Sequence, residues 1–326
     1  MIVSEERARG WMSCASIIAR AGSLMHMVNW PLQKRVELTQ RAAAGDYLLA
    51  AALSEPEAGS DLYGGIRTRA VLDGDHWVIT GNRYWCTFAD GADLINVLCR
   101  VEGARGSGIR TIAVEKPRGE LPENCSGNPI PKIGYFGWKT WELRFEGVRA
   151  PKENIAGPLP DATTPSGSGG GRRSRGQLAA LSVPRVHTAA RSIGLAWGAL
   201  EDAIAYSKER VQFGQPISEF QETRFKLARM ASEIEAARQL MYHAAAEIDA
   251  GRGSDKDASM IKWFASEMAE RVTSDALQIF GGAGYTKLHP VERYWRDARL
   301  TKIFEGTSEI QLRIVSDRLL GKPARR

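Results

Sequence analysis

Cysteine is scarce, with four in 326 residues (Cys14, Cys86, Cys99 and Cys125), no Cys-x-x-Cys pair and no His/Cys ligand spacing. A disulfide-stapled scaffold is excluded and no metal site is expected; reduced thiols in a cytoplasmic protein are the plain reading. No uninterrupted apolar run approaches the ~18–20 residues that span a bilayer. The opening MIVSEERARGWMSC mixes both charge signs before any apolar stretch, so no secretory leader is expected. Basic residues cluster at Arg172–Arg175 and Arg325–Arg326 without aromatics between them, which gives no stacking platform for nucleic acid. The net charge of +6 suits an anionic ligand without demanding one. Thirty-three Gly and 14 Pro are near average usage, which excludes collagen-like and disordered chains.

What remains is a globular chain long enough for two domains or one large one, and its patterning changes character along its length. Over residues 1–46, Trp11, Ile17, Ile18, Leu24 and Met25 recur at helical spacings, and Pro31 opens a second helical segment that closes at Ala44–Gly45. Over 47–156 the period shortens. AVLDGDHWVIT places two β-rich runs around Asp73–Gly74, a hairpin signal, and further runs at Leu94–Cys99, Thr111–Val114 and Leu143–Phe145 extend an antiparallel unit. Residues 157–177, GPLPDATTPSGSGGGRRSRGQ, are a Gly/Ser/Pro-rich loop or linker. Its GSGGG has neither the preceding strand nor the lysine of a phosphate-binding loop. From 178 to 326 the chain reads as helices over 178–211, 222–250, 254–279, a short one after Pro290, and a last one from about Thr307 to Gly321. Gly251 stops the second, and Ser254 with Asp257 caps the third. The fold class is α+β: a partial helical domain, a middle antiparallel β-barrel-like domain, and a C-terminal four-helix bundle.

Five short segments carry candidate chemistry, each beside a blander reading. LSEPEAGSD (53–61) is a turn exposing N–H groups and the hydroxyls of Ser54 and Ser60, or a plain loop. In YWCT (84–87), Trp85 and Thr87 share one face of an extended chain and offer a flat surface plus a hydrogen bond; a core Trp is the alternative. Arg210 in RVQFGQPISEFQ has a fork that suits a pyrophosphate, or it caps helix carbonyls. The glycines of QIFGGAGY end a helix, do not follow a strand, and allow a close approach to backbone. In IFEGTSEIQ, Glu305 precedes a helix that Thr307 and Ser308 can cap; it is either a structural carboxylate favoured by the helix dipole or a base.

Taken together, SEPEAGSD, YWCT, RVQFGQPI, QIFGGAGY and KIFEGTSEIQ resemble the acyl-CoA dehydrogenase family, in that family's order and spacing, from about Glu5 to Gly321. The resemblance implies bound FAD, lying between the β domain and the bundle, and α,β-dehydrogenation of an acyl-CoA thioester to the trans-2-enoyl form, a step of β-oxidation and fatty acid metabolism. It implies that Ser54 and Ser60 meet flavin and substrate, that Trp85 packs beside the isoalloxazine, and that Thr87 bonds near N5. Arg210, Phe213 and Gln221 are implied as pyrophosphate and adenosine contacts reaching a neighbouring subunit, with Gln278, Gly281 and Gly282 as the other half. Thr307 and Glu309 match positions beside the cofactor, and Ser60, Arg185 and Gly306 positions beside the substrate. A homodimer or homotetramer and an electron-transfer flavoprotein as acceptor follow by the same likeness. The N-terminal segment is similar to the later helices of the family's N-terminal domain, so that domain is expected to be shortened.

Glu305 falls on the family's general base, taking the α-proton while the β-hydrogen leaves as hydride to flavin N5. Exclusion of water is expected to raise its pKa toward working pH. Some members place the base just before the arginine matched by Arg185, but that position is Pro184 here, which favours Glu305. Arg185 itself orders the active-site loop by the resemblance, or makes a helix-face salt bridge. Arg172, Arg173 and Arg175 belong to a solvated loop or contact CoA phosphates. The alternatives to a dehydrogenase are a flavin oxidase, a desaturase of carrier-bound acyl groups, or a non-catalytic, truncated paralogue that serves as a partner subunit.

Overall fold

The computed structural model describes residues 1–20, 22, 24–62, 64–102, 108–159 and 175–323, with the backbone alone at 102 and 175–181. In chain order the described residues hold α1 (Ile2–Gly10), α2 (Met12–Ala15) and α3 (Leu32–Ala44). Strands β1 (Leu49–Ala52), β2 (Arg69–Asp73), β3 (His76–Thr87), β4 (Leu94–Glu102), β5 (Ile109–Glu115), β6 (Cys125–Pro129) and β7 (Thr140–Pro151) follow. Helix α4 (Arg175–Glu209) leads through the short hairpin of β8 (Val211–Gln212) and β9 (Gln215–Pro216) to α5 (Gln221–Asp249). Helices α6 (Asp255–Phe280), α7 (Val291–Thr301) and α8 (Ser308–Leu320) complete the chain.

The chain divides into two compact units: Met1–Ala19, Ile133–Gly137 and Arg173–Arg326 form one, Arg20–Lys132 and Trp138–Arg172 the other. The N-terminal helical segment is therefore shared out, α1 and α2 to the helical unit and α3 to the sheet unit. Sequence periodicity marks the helices but not the surface each is buried against.

In the sheet unit the strand order is β1-β4-β2-β3-β7-β6, with β5 on β4. The hairpin at Asp73–Gly74 forms, pairing Asp73 with His76 while Gly74 takes φ 60. Trp77 and Ile79 of β3, with Phe145 and Val148 of β7 on either side of a register shift, enter one core, and α3 closes a second with Leu38 and Ala42 against Leu49 and Leu94. Strand β4 runs parallel to both β1 and β2, so the sheet is mixed where an antiparallel one is expected. Turn chemistry reports only strands joined by tight turns; a parallel pairing across a long connection leaves no local signature.

In the helical unit, α4 packs against α6, α5 and α1. Close approach of α1 depends on Gly194 and Gly198: a Cβ there would lie 2.1 Å from the Glu5 carbonyl and 2.3 Å from the Arg9 carbonyl. The carboxylate of Glu5, 2% exposed, accepts from Arg238 Nε of α5 at 2.7 Å. Ser254 caps α6, its Oγ accepting the Asp257 N–H at 3.1 Å, as the sequence indicates. Among the described residues no helix is long and apolar enough to cross a membrane, and no group of three or more His, Cys, Asp or Glu is placed to hold a metal.

Candidate active site

In the sheet unit, the loop after β1 is stitched to β3 by a buried ion pair. Glu55, 6% exposed, accepts the backbone N–H groups of Thr68 (2.7 Å) and Arg67 (2.9 Å) and lies 3.1 Å from Arg83 NH1. Arg83 is wholly buried and donates to the Leu53 carbonyl at 2.9 Å. Burial pushes the Glu55 carboxyl up, but the Thr68 and Arg67 donors and the Arg83 charge outweigh it and hold it below the ordinary range. One residue on, Tyr84 N–H donates to the Ser54 carbonyl at 2.9 Å.

Strand β3 then bulges. Its register against β7 shifts between Arg83 and Cys86, and the inward face changes from odd positions (Trp77, Ile79, Arg83) to an even one, Cys86. Trp85 occupies the bulge at φ 66 and is 56% exposed, with the Tyr84 ring edge-on at 4.8 Å. This corrects the expectation of one extended face: Thr87 returns to the ladder, half-buried, its Oγ1 3.2 Å from Thr140 Oγ1, while Trp85 is turned out. Ser60 is exposed and Ser54 half-buried.

In the helical unit, Glu305 is exposed and stands in a tight turn between α7 and α8, with φ 54, and Gly306 follows at φ 89. Three hydrogen bonds from two donors hold the turn's carbonyls: Lys262 Nζ reaches Gly306 O at 2.6 Å, and Gln311 Nε2 reaches Gly306 O at 3.0 Å and Glu305 O at 3.3 Å. The Glu305 N–H donates to no acceptor among the described residues. Thr307 caps α8 through the Ile310 N–H. Glu309 is exposed, and its own backbone N–H and the Thr307 hydroxyl keep its carboxyl below the usual value. Phe304 lies under the buried Arg191 guanidinium, 4.7 Å from ring centroid to Cζ. Arg185 is 9% exposed on α4, the residue after Pro184.

The other implied contacts sit at the ends of α4 and α6. Arg210 and Gln221 are exposed on either side of the β8–β9 hairpin, at whose tip Phe213 has φ 50 and is 95% exposed. Gln278 is exposed one turn before Gly281 and Gly282, and nothing lies within 4 Å of where either glycine would carry a Cβ. No hydrogen bond, ion pair or ring contact among the described residues joins the hairpin group to Glu305. Arg172 and Arg173 lie outside the described residues, as does the side chain of Arg175.

Sequence reasoning missed Glu55, Arg83, Lys262 and Gln311. Arg83 left a signal, a charge at an inward-facing position of an alternating strand. Lys262 left another, a cation on the apolar stripe of α6, where Ile261 and Ala265 are also buried.

Comparison with known proteins bears on these groups. Residues 50–148 match the model of the acyl-CoA dehydrogenase middle domain and residues 175–320 that of its C-terminal domain. An acyl-CoA dehydrogenase of Bacillus subtilis is 40% identical over 290 residues, covering 89% of this chain and 73% of the relative. The chain belongs to the acyl-CoA dehydrogenase family. Another relative of this acyl-CoA dehydrogenase family chain is (2S)-methylsuccinyl-CoA dehydrogenase of Cereibacter sphaeroides, 37% identical over 330 residues. That match covers 98% of the chain but only 58% of the relative. Among solved structures, a glutaryl-CoA dehydrogenase from Mycobacterium smegmatis in complex with FADH2 superposes with a TM-score of 0.84 at 28% identity, covering 99% of this chain and 79% of that one. The middle-domain match contains the Glu55–Arg83 pair and Trp85; the C-terminal match contains Lys262 and Glu305.

Proposed function

We propose that this chain is an FAD-dependent dehydrogenase of acyl-CoA thioesters, with Glu305 as the base that removes the α-proton. The observation that carries the reading is the Glu305 turn: an exposed carboxylate residue, strained at φ 54, whose own N–H donates to no acceptor among the described residues. Left-handed backbone at a non-glycine residue costs about 1–3 kcal/mol and persists where surrounding contacts over-determine it. A thioester α-proton is weakly acidic, so charge developing on the carbonyl oxygen needs a donor as the proton leaves. The Glu305 N–H supplies such a donor and the Glu305 carboxylate the acceptor for the proton.

The residues fit a flavin. Trp85 presents a flat indole face turned out of the sheet, Gly281 and Gly282 leave backbone open to close approach, and Arg210 offers a guanidinium fork without an ion-pair partner among the described residues. Trp85, Thr87, Ser54 and Ser60 would hold the ring end, Arg210, Phe213, Gln221, Gln278, Gly281 and Gly282 the pyrophosphate and adenosine, with Thr307 and Glu309 alongside. When bound, FAD supplies an acceptor for the β-hydrogen as hydride. Ser60, Arg185 and Gly306 would face the substrate. A second copy of the chain completing the cofactor site, and an electron-transfer flavoprotein reoxidising it, belong to the same proposal.

Anaerobic bleaching of the visible flavin band tests the reading, with butyryl-CoA, glutaryl-CoA and methylsuccinyl-CoA as probes. Glu305→Gln is expected to slow bleaching by about 10²–10⁴-fold at unchanged flavin content, the range for loss of a positioned base. Full-rate bleaching by that variant removes Glu305 from the role; absence of flavin from the purified protein removes the function.

A further inference from the structure

Beside the proposed base lies a buried cation that the dehydrogenation reading does not employ. Lys262 has no exposure, and its ammonium makes one hydrogen bond among the described residues, to the Gly306 carbonyl at 2.6 Å. Burying an ammonium is costly unless it is paired, yet this one is bonded to a neutral acceptor. The acid of α6 whose charge acts on it, Glu267, is already used: it accepts from Ser308 Oγ at 2.7 Å and pairs with Lys302 Nζ at 2.7 Å. For packing alone a methionine would fill the same space without the desolvation, so the lysine calls for a role that needs a donor at that depth.

The surrounding geometry supplies one. Ser308 and Lys302 flank the Glu305–Gly306 turn and are tied to α6 through Glu267, and Lys302 also through Glu270 at 2.7 Å. Gln311 of α8 holds both turn carbonyls. A side chain on Gly306 is disfavoured by φ 89, and its Cβ would also displace Gln311 Nε2, 2.4 Å away, from the turn carbonyls. The turn, strained at Glu305, is thus kept in place from α6 and α8, with the shortest of its own bonds from Lys262.

We propose that Lys262 is a positioning residue for the reaction: by clamping the Gly306 carbonyl it fixes the turn that presents the Glu305 carboxylate to the substrate α-carbon. The inference rests on Glu305 being the base. Burial pushes the Lys262 ammonium down to about 8, opposed by Glu305, Glu267 and Glu309 and reinforced by Arg185 across on α4. A charge-assisted hydrogen bond is about twice as strong as a neutral one, so the clamp weakens as pH rises through about 8.

Two readouts on the flavin-loaded protein test this. Amide hydrogen exchange compares wild type with Lys262→Met, and bleaching kinetics use whichever of the three thioesters reacts fastest with wild type. Exchange of the Ile303, Phe304 and Ser308 amides, which are hydrogen-bonded on either side of the turn, is expected to quicken about tenfold or more in the variant while α4 and α5 are unchanged. The maximal bleaching rate is expected to fall about tenfold or more, with half-saturation shifted less than about threefold, since an interaction that serves only the chemical step lowers rate without weakening binding. Wild type is expected to lose rate as pH rises through about 8, and Lys262→Met to give a low, flat profile. Unchanged exchange, or an unchanged maximal rate, overturns the proposal, as does a rate loss matched by equal loss of flavin and thermal stability. If Lys262→Met does not fold, wild type alone decides: a rate and a corrected exchange that stay flat through about pH 8 overturn it. Full-rate bleaching by Glu305→Gln defeats the parent reading instead, and exchange then judges the clamp by itself.

Discussion

At the scale of single residues, the Glu55–Arg83 pair places two charges in the interior of the sheet unit, 3.1 Å apart. Two of the three Arg83 nitrogens, Nε and NH2, are buried without hydrogen-bond partners among the described residues, so the guanidinium depends on Glu55 and the Leu53 carbonyl. Removing one member of a buried pair leaves the other uncompensated, at about 3–5 kcal/mol. Glu55→Gln is expected to lower unfolding stability by that order in urea melts at neutral pH. The pH dependence has a definite sign. The carboxyl is held below its ordinary value of 4.5 in the folded chain, so its contribution is complete above that value and is lost as pH falls through the lower folded one. The gap between wild type and Glu55→Gln should narrow in that acid window; a constant gap would show that the carboxylate charge is not what Arg83 requires. Because the pair anchors the loop carrying Ser54 and Ser60 to the strand just before Tyr84 and Trp85, losing it should also loosen flavin. None of this is readable from the motif SEPEAGSD, whose Glu55 resembles any loop acid until Arg83 is seen facing inward.

At the scale of elements, the seam of α1 on α4 rests on two glycines one helical turn apart. The 2.1 Å gap from a Cβ at Gly194 to the Glu5 carbonyl leaves no room for a methyl, and backbone cannot rotate aside. Overpacking of this kind costs about 1–3 kcal/mol, occasionally more. Gly194→Val is expected to destabilise at the upper end of that range and to raise hydrogen exchange in α1 ahead of α5; uniform exchange would mean that α1 and α4 do not separate first. The same elements show what the sequence could and could not reveal. The Asp73–Gly74 hairpin, the Ser254 cap and the end of α5 just before Gly251 are set by residues within a few positions, so they were legible. The bulge at Trp85 and the parallel pairing of β4 with β1 and β2 are set by partners tens of residues away. In the candidate site, Glu305 was legible through its motif, whereas Lys262, 43 positions earlier by numbering, became visible only when α6 was laid against the turn.

At the scale of the whole molecule, the helical unit leaves apolar side chains unburied on short turns: Phe213 at 95%, Tyr285 at 84% and Leu288 at 84% exposure. Phe213 is the most telling. Both central residues of its hairpin have positive φ, 50 for Phe213 and 80 for Gly214, a type I′ pattern that glycine or asparagine satisfies at lower cost than phenylalanine. The ring meets Phe220 edge-on at 6.1 Å between centroids, a contact that leaves it almost wholly exposed, which fits further contact with a second copy of the chain. Phe213→Gly separates the two effects. Folding stability of the single chain should hold or rise by about 1 kcal/mol, because left-handed backbone is relieved. Loss of one buried Phe per contact, about 2–3 kcal/mol, occurs twice across a two-fold interface. Dissociation should then shift by about 10³–10⁴-fold in concentration, read by light scattering on a dilution series, with flavin released along the same curve. A variant that keeps both its assembly and its flavin would show that the tip of the β8–β9 hairpin meets neither a partner nor the cofactor, and would confine the cofactor contacts to residues elsewhere in the chain.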